Sequence, residues 1–112
     1  MDQLSEAFNA VAAYFSVLSE PMRLRIMHSI CESEKTVSQI VAEIGATQTN
    51  VSRHLGMMHR SGVLARRKQG NRVFYRAADM TMVELCRGVC ESISRRVDDK
   101  VPLRRELLRL MP

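Results

Sequence analysis

The sequence predicts a mostly helical fold with one β-hairpin (α+β), in the element order ααααββα(α). Three observations carry that expectation. Apolar residues recur at helical spacing along most of the chain, a glycine-bearing turn separates two short helical segments near its middle, and two β-forming segments bracket Gly70-Asn71.

The first helix is expected from about Leu4 to Leu18, where Leu4, Phe8, Val11, Phe15 and Leu18 make one stripe at helical spacing, the pattern of a core-packing face. Ser19 stands as the N-cap of a second helix, and Pro21 fits its first turn, where the missing N–H is no loss. That helix, to about Glu32, is apolar on more than one side through Met22, Leu24, Ile26, Met27, Ile30 and Cys31, which predicts a central core position. Val37, Ile40, Val41 and Ile44 then fall at i, i+3, i+4 and i+7, and Gly45 supplies the left-handed conformation that a helix C-cap favours. Thr47 is the expected N-cap of the next helix, in which Val51, Leu55 and Met58 form the apolar stripe. Two helices joined by a short turn containing Gly are a helix-turn-helix, whose second helix can lie in a DNA major groove.

A hairpin signal follows at once. Ser61-Gly62 ends the helix, Val63-Leu64-Ala65 starts an extended run, and Val73, Phe74 and Tyr75 are β-formers on the return. Arg66, Arg67, Lys68 and Arg72 crowd its tip, so the ribbon reads as a basic wing and the whole as a winged helix-turn-helix. After it, Asp79 is placed as the cap of a long helix to about Val97, with Val83, Cys86, Cys90, Ile93 and Val97 on one face. Pro102 restarts a short amphipathic helix, Leu103, Leu107 and Leu110 opposing Arg104, Arg105 and Arg109, whose basic side reads as a solvated face.

Charge points the same way. From Ile44 to Ala78 there are seven Lys or Arg and no Asp or Glu, although those 35 residues are nearly a third of the chain and it carries 12 acids in all. Such segregation fits a polyanionic partner, because Lys and Arg contacts to phosphate supply most non-specific affinity. A solvated basic surface would show the charge, but not the charge together with the helix-turn-helix and the hairpin.

These residues resemble the ArsR/SmtB-type winged-helix repressors from about Phe15 to Arg76. VLSEPMRLRIM is similar to that family's opening phrase, TQTNVSRHLGMMHRSGVL to its recognition helix and exit, and RRKQGNRVFYR to its wing. The resemblance implies a homodimer that represses double-stranded operator DNA until a small inducer binds, with the first helix (about 4–18) and the C-terminal helices (about 79–111) forming the dimer interface. It implies that Gln48, Thr49, Asn50, Ser52, Arg53 and His59 are presented to DNA. Gln48 has the chemistry to bond an adenine edge in two places and Arg53 a guanine edge. His54 and His59 read as phosphate contacts or core-edge residues rather than metal ligands. Arg66, Arg67, Lys68 and Arg72 are expected at phosphates or the minor groove, adding affinity more than sequence choice, so that losing Arg67 would flatten the salt slope by about one unit.

At 112 residues the chain is expected to be one domain, with only five aromatics, no Trp, and eight Met beside Leu, Ile and Val to fill its core. Asp2 and Glu6 flank a start without the basic region of a signal peptide, and no apolar run approaches the roughly 20 residues of a membrane span. A cytoplasmic protein with no membrane partner is expected. No nucleophile has a visible base partner and the three histidines do not gather with other catalytic types, so an enzyme is not expected.

Three cysteines, Cys31, Cys86 and Cys90, are too few for a secreted disulfide framework. One reading makes them small buried hydrophobes. The resemblance offers a second and thiolate chemistry a third, and none requires a cofactor. A branch of the family senses persulfides and oxidants through one thiol on the second helix and one on the fifth, which Cys31 and Cys90 approximate, implying a disulfide or polysulfide. Three thiolates would instead suit bound arsenite, making Cys31, Cys86 and Cys90 a metalloid site. The family's zinc-type sites are not matched: its Cys-x-Cys phrase aligns with Thr36-Val37-Ser38, and no histidine follows Asp79. A winged-helix module that binds protein without an operator remains the alternative of another class, which salt-dependent duplex binding would discriminate.

Overall fold

A computed structural model describes residues 2–96 and 101–110 of the chain. They fall into two compact units, Met1–Ala78 and Asp79–Pro112. The first contains α1 (Gln3–Ser16), α2 (Pro21–Ile30), β1 (Lys35–Thr36), α3 (Val37–Ile44), α4 (Gln48–Arg60), β2 (Leu64–Gln69) and β3 (Arg72–Ala77). The second contains α5 (Met80–Arg96) and α6 (Val101–Arg109).

The core of the first unit is aliphatic. Ile26 and Ile30 from α2, Ile40 from α3, and Val51, Leu55 and Met58 from α4 are at most 1% exposed, with Val63, Leu64 and Tyr75 closing it at the base of the hairpin. Burying each such side chain favours folding by about 1.5–3 kcal/mol, which makes this three-helix contact the main support of the unit. Methionine contributes less than composition suggests: of the described ones, Met27, Met58 and Met82 are buried, while Met80 is 56% exposed.

Several expectations are corrected. The α1 stripe does not pack into the core of the first unit, since Leu4, Phe8, Val11 and Phe15 remain 53–67% exposed; Val17, just beyond the helix, is the residue that goes inside. Ser19 does not cap α2. Its hydroxyl turns back to donate to the Ser16 carbonyl at 2.7 Å, and the Glu20 carboxylate caps instead, accepting from the Arg23 N–H at 3.1 Å. Helix α2 stops at Ile30, with Cys31 as its C-cap, and its apolar character is more one-sided than expected, Leu24 being 41% exposed.

The hairpin gains a third strand. The antiparallel sheet has the order β1-β3-β2, Lys35 pairing with Tyr75 and Thr36 with Phe74. A two-residue strand is too short to leave a periodic signal. In the second unit, Asp79 caps α5 as expected, its carboxylate accepting from the Met82 N–H at 3.1 Å, and α6 packs on α5. Along the expected α5 face Val83 is buried, Cys86 and Cys90 are half-buried, Ile93 is exposed, and Val97 lies outside the described residues. In α6 Leu107 is half-buried and Leu103 exposed, and Leu110, just past the helix, is exposed too; Met111 is outside the described residues.

Candidate nucleic-acid interface

Local chemistry fixes the two helices that would meet DNA. Thr36 and Gln39 form a reciprocal cap at the start of α3: the Gln39 N–H donates to Thr36 Oγ1 at 3.2 Å and the Thr36 N–H to Gln39 Oε1 at 2.8 Å. Gly45 ends α3 at φ 76°, its N–H donating to the Val41 carbonyl at 2.9 Å. Thr47 then caps α4, Oγ1 accepting from the Asn50 N–H at 3.2 Å. With Val51, Leu55 and Met58 fully buried, the roll of α4 about its axis is set.

That roll leaves Gln48, Thr49, Ser52 and Arg53 exposed, as two i, i+4 pairs side by side. Asn50 is half-buried and accepts from Arg53 Nη2 at 2.8 Å, which orders the guanidinium along the helix surface. His59 is half-buried near the end of α4. Of the two roles read for His54, the structure gives the core edge: it is 6% exposed, with Nε2 3.7 Å from Glu20 Oε2. Glu20 thus serves both the start of α2 and the recognition helix.

The wing turns at Gly70, whose φ of 62° at the first central position is that of a type II′ connection. Strand alternation sorts its cations. Arg66 and Lys68 share the face of Leu64 and Tyr75, whereas Arg67, Gln69, Arg72 and Phe74 share the other. On that second face Arg67 and Arg72 stack over the Phe74 ring, 4.4 and 5.0 Å from its centroid. Arg67 Nε donates to both Glu34 oxygens at 2.9 and 3.1 Å, Nη2 also donates to Glu34 Oε1, and Nη1 donates to Gln69 Oε1 at 2.8 Å. The pairing holds the Glu34 carboxyl below the usual range and the Arg67 guanidinium above it.

Sequence reasoning missed both Glu20 and Glu34. The segment from Ile44 to Ala78 has no acid of its own, yet these two fold onto it from outside. Neither leaves a local signal, because Glu34 and Arg67 are 33 residues apart.

The cysteines divide between the units. Cys31 is half-buried, its Sγ donating to the His28 carbonyl at 3.3 Å, and it lines an open recess of about 250 Å³ together with Glu34 and Arg76. Cys86 and Cys90 are half-buried one turn apart on α5, and burial pushes the Cys90 thiol pKa up, favouring its protonated form. Among the described residues no three His, Cys, Asp or Glu side chains stand together as a metal site.

Comparison with known proteins agrees with this architecture. The profile described as "Bacterial regulatory protein, arsR family" matches residues 20–66. An uncharacterized HTH-type transcriptional regulator of Mycobacterium tuberculosis, Rv0081, is 30% identical over 97 residues, covering 86% of this chain and 85% of that protein. Its crystal structure superposes with a TM-score of 0.74 at 28% identity, over 90% of this chain and 99% of that one. A biofilm growth-associated repressor of Xylella fastidiosa is 29% identical over 84 residues, 75% of this chain and 74% of the repressor. The homodimeric winged helix-turn-helix DNA-binding domain of a Mycobacterium bovis protein shares the fold at a TM-score of 0.67 and 24% identity, over 89% of this chain and 88% of that domain. These relatives are described as transcriptional regulators or repressors. The chain belongs to the arsR family of bacterial regulatory proteins, the ArsR/SmtB-type DNA-binding transcriptional regulators with a winged helix-turn-helix fold.

Proposed function

We propose that the protein is a homodimeric cytoplasmic repressor that holds duplex operator DNA and releases it when an inducer acts on its thiols. The observation that carries the DNA reading is the exposed polar face of α4, Gln48, Thr49, Ser52 and Arg53, standing beside a basic wing whose own strands carry no acid. Gln48 and Arg53 read base edges, Thr49 and Ser52 add shorter contacts, Asn50 orients Arg53, and His59 approaches phosphate. Arg66, Lys68 and Arg72 supply the wing's electrostatic contribution, which is largely independent of sequence.

Support for the dimer is the α1 stripe. Four large apolar residues at one helical spacing, each more than half exposed, need covering, and a second copy of the chain does this symmetrically. Pairing sets two recognition helices for half-sites about one helical turn, or 34–36 Å, apart, so a small change in their separation forfeits contacts in one half-site.

Cys31, Cys86 and Cys90 are the inducer-sensing residues in this reading. Their partial exposure leaves them within reach of small sulfur electrophiles, and an oxidant such as diamide would take two hydrogens from two thiols to leave one disulfide. The test is titration of promoter DNA with the reduced protein, repeated after diamide, an organic polysulfide and arsenite, with intact masses recorded. Release accompanied by a two-hydrogen loss or added sulfur supports thiol sensing. Release by arsenite alone makes the cysteines a metalloid site, and no release by any of the three removes them from the sensing role. Absence of salt-dependent duplex binding would instead leave a protein-interaction module.

A further inference from the structure

We propose that Glu34 is a positioning residue for DNA binding: it braces the wing through Arg67, whose guanidinium serves as an internal strut and not as a phosphate contact. The inference rests on the DNA-binding reading and revises the role expected for Arg67 within it.

The geometry sets the argument. Arg67 presents nitrogens in a planar fork, and a carboxylate matches that fork with two parallel bonds. Here Nε and Nη2 are both directed at Glu34, Nη1 is taken by Gln69, and one face of the plane lies over Phe74. Each of the three guanidinium nitrogens already donates to an acceptor within the chain. Glu34 comes from the segment between α2 and β1, one residue before the strand that pairs with β3. The wing is therefore fixed twice to the same stretch of chain, by the β1–β3 pairing, which reaches Phe74, and by this ion pair to Arg67, the residue opposite Phe74 on β2. A two-stranded ribbon is marginally stable alone, so a brace at mid-ribbon limits how far its tip swings. Arg67 and Gln69 thus hold the ribbon, while Arg66 and Lys68 project from the opposite face and Arg72 lies next to the turn.

A competing account uses the same contacts: Glu34 mimics a phosphate and yields Arg67 to DNA on binding. The two accounts predict opposite signs. Binding of the full-length protein to a fluorescein-labelled duplex of random sequence, measured by anisotropy over a series of salt concentrations, separates them. For a strut, Glu34→Gln and Arg67→Met each weaken binding by about two- to fivefold, the scale of an exposed ion pair, and leave the log–log salt slope as in wild type. The charge-reversed pair Glu34→Arg with Arg67→Glu recovers affinity. If Glu34→Gln binds more tightly, or Arg67→Met lowers the slope by about one unit, Arg67 is a phosphate contact and the proposal is overturned.

A readout without DNA keeps this failure distinct from failure of the DNA reading. In a proton–nitrogen spectrum near neutral pH, the Arg67 Nε–H should be protected from exchange in wild type and lost in Glu34→Gln, while the melting temperature stays close to wild type. An unprotected Nε–H in wild type rejects the strut. A protected one, in a protein that shows no salt-dependent duplex binding, keeps the strut as a wing brace and rejects its role at DNA.

Discussion

Glu43 shows how single side chains hold the helix-turn-helix in place. Its Oε2 accepts from the Ser29 hydroxyl of α2 at 2.7 Å and pairs with Lys35 Nζ at 2.5 Å, so one carboxylate on α3 ties down both the preceding helix and the short strand. Lys35 first and Ser29 second hold the Glu43 carboxyl below the usual range, as Arg67 does for Glu34. Each group binds its proton less tightly in the folded chain than in the unfolded one. Their stabilisation is therefore complete above the ordinary glutamate range and is lost as pH falls through the lowered values. The melting temperature should begin to fall below about pH 4.5, and Glu43→Gln should make that fall shallower. Parallel pH profiles for the two proteins would exclude Glu43 from this role. Glu20 works similarly at the start of α2, where Glu20→Ala should cost about 1 kcal/mol as a lost cap in a denaturant titration, and should also loosen His54.

At the scale of elements, α4 must be rigid in roll for its outer face to address DNA. Leu55→Ala should destabilise the fold by about 2–5 kcal/mol in urea titrations, because it opens a cavity where α2, α3 and α4 meet. Gln48→Ala should leave stability within about 0.5 kcal/mol of wild type, since the side chain is exposed, while relaxing base preference at one operator position by about 1–3 kcal/mol. A Gln48→Ala protein with unchanged sequence preference would move base reading elsewhere on α4. What could be read in advance divides along the same line. Gly45, Thr47 and Gly70 act through their own backbone or the next turn, so α3, α4 and the hairpin were legible from short windows of sequence. The α2 cap was misplaced because Ser19 and Glu20 are both competent acceptors and the choice depends on where the end of α1 lies. Strand β1 and the Glu34–Arg67 and Glu20–His54 pairs are tertiary, formed between segments whose separation no local pattern encodes. The outer face of α4 was legible once the buried stripe fixed its inner one, whereas the strut was hidden among four basic residues of similar appearance.

For the whole molecule, the division of surface is as informative as the division into elements. Seven of the ten Lys and Arg residues of the first unit lie between Ile44 and Ala78 with no acid among them, and four of its five large exposed apolar side chains lie on α1. Phe8→Asp, at the middle of that stripe, should shift sedimentation from dimer to monomer and weaken operator binding while leaving the helical circular dichroism near wild type. A dimer that survives this substitution would place the interface elsewhere. The sparing of α1 from the core of its own chain has a further consequence for gene control. In the proposed dimer, where two copies meet through this helix, the DNA-competent species forms by a second-order reaction. While most chains are single, the concentration of pairs varies as the square of the chain concentration, so halving synthesis removes about three-quarters of them. A promoter under such a protein would respond to gene dosage and to dilution at cell division more sharply than in proportion, before any inducer arrives.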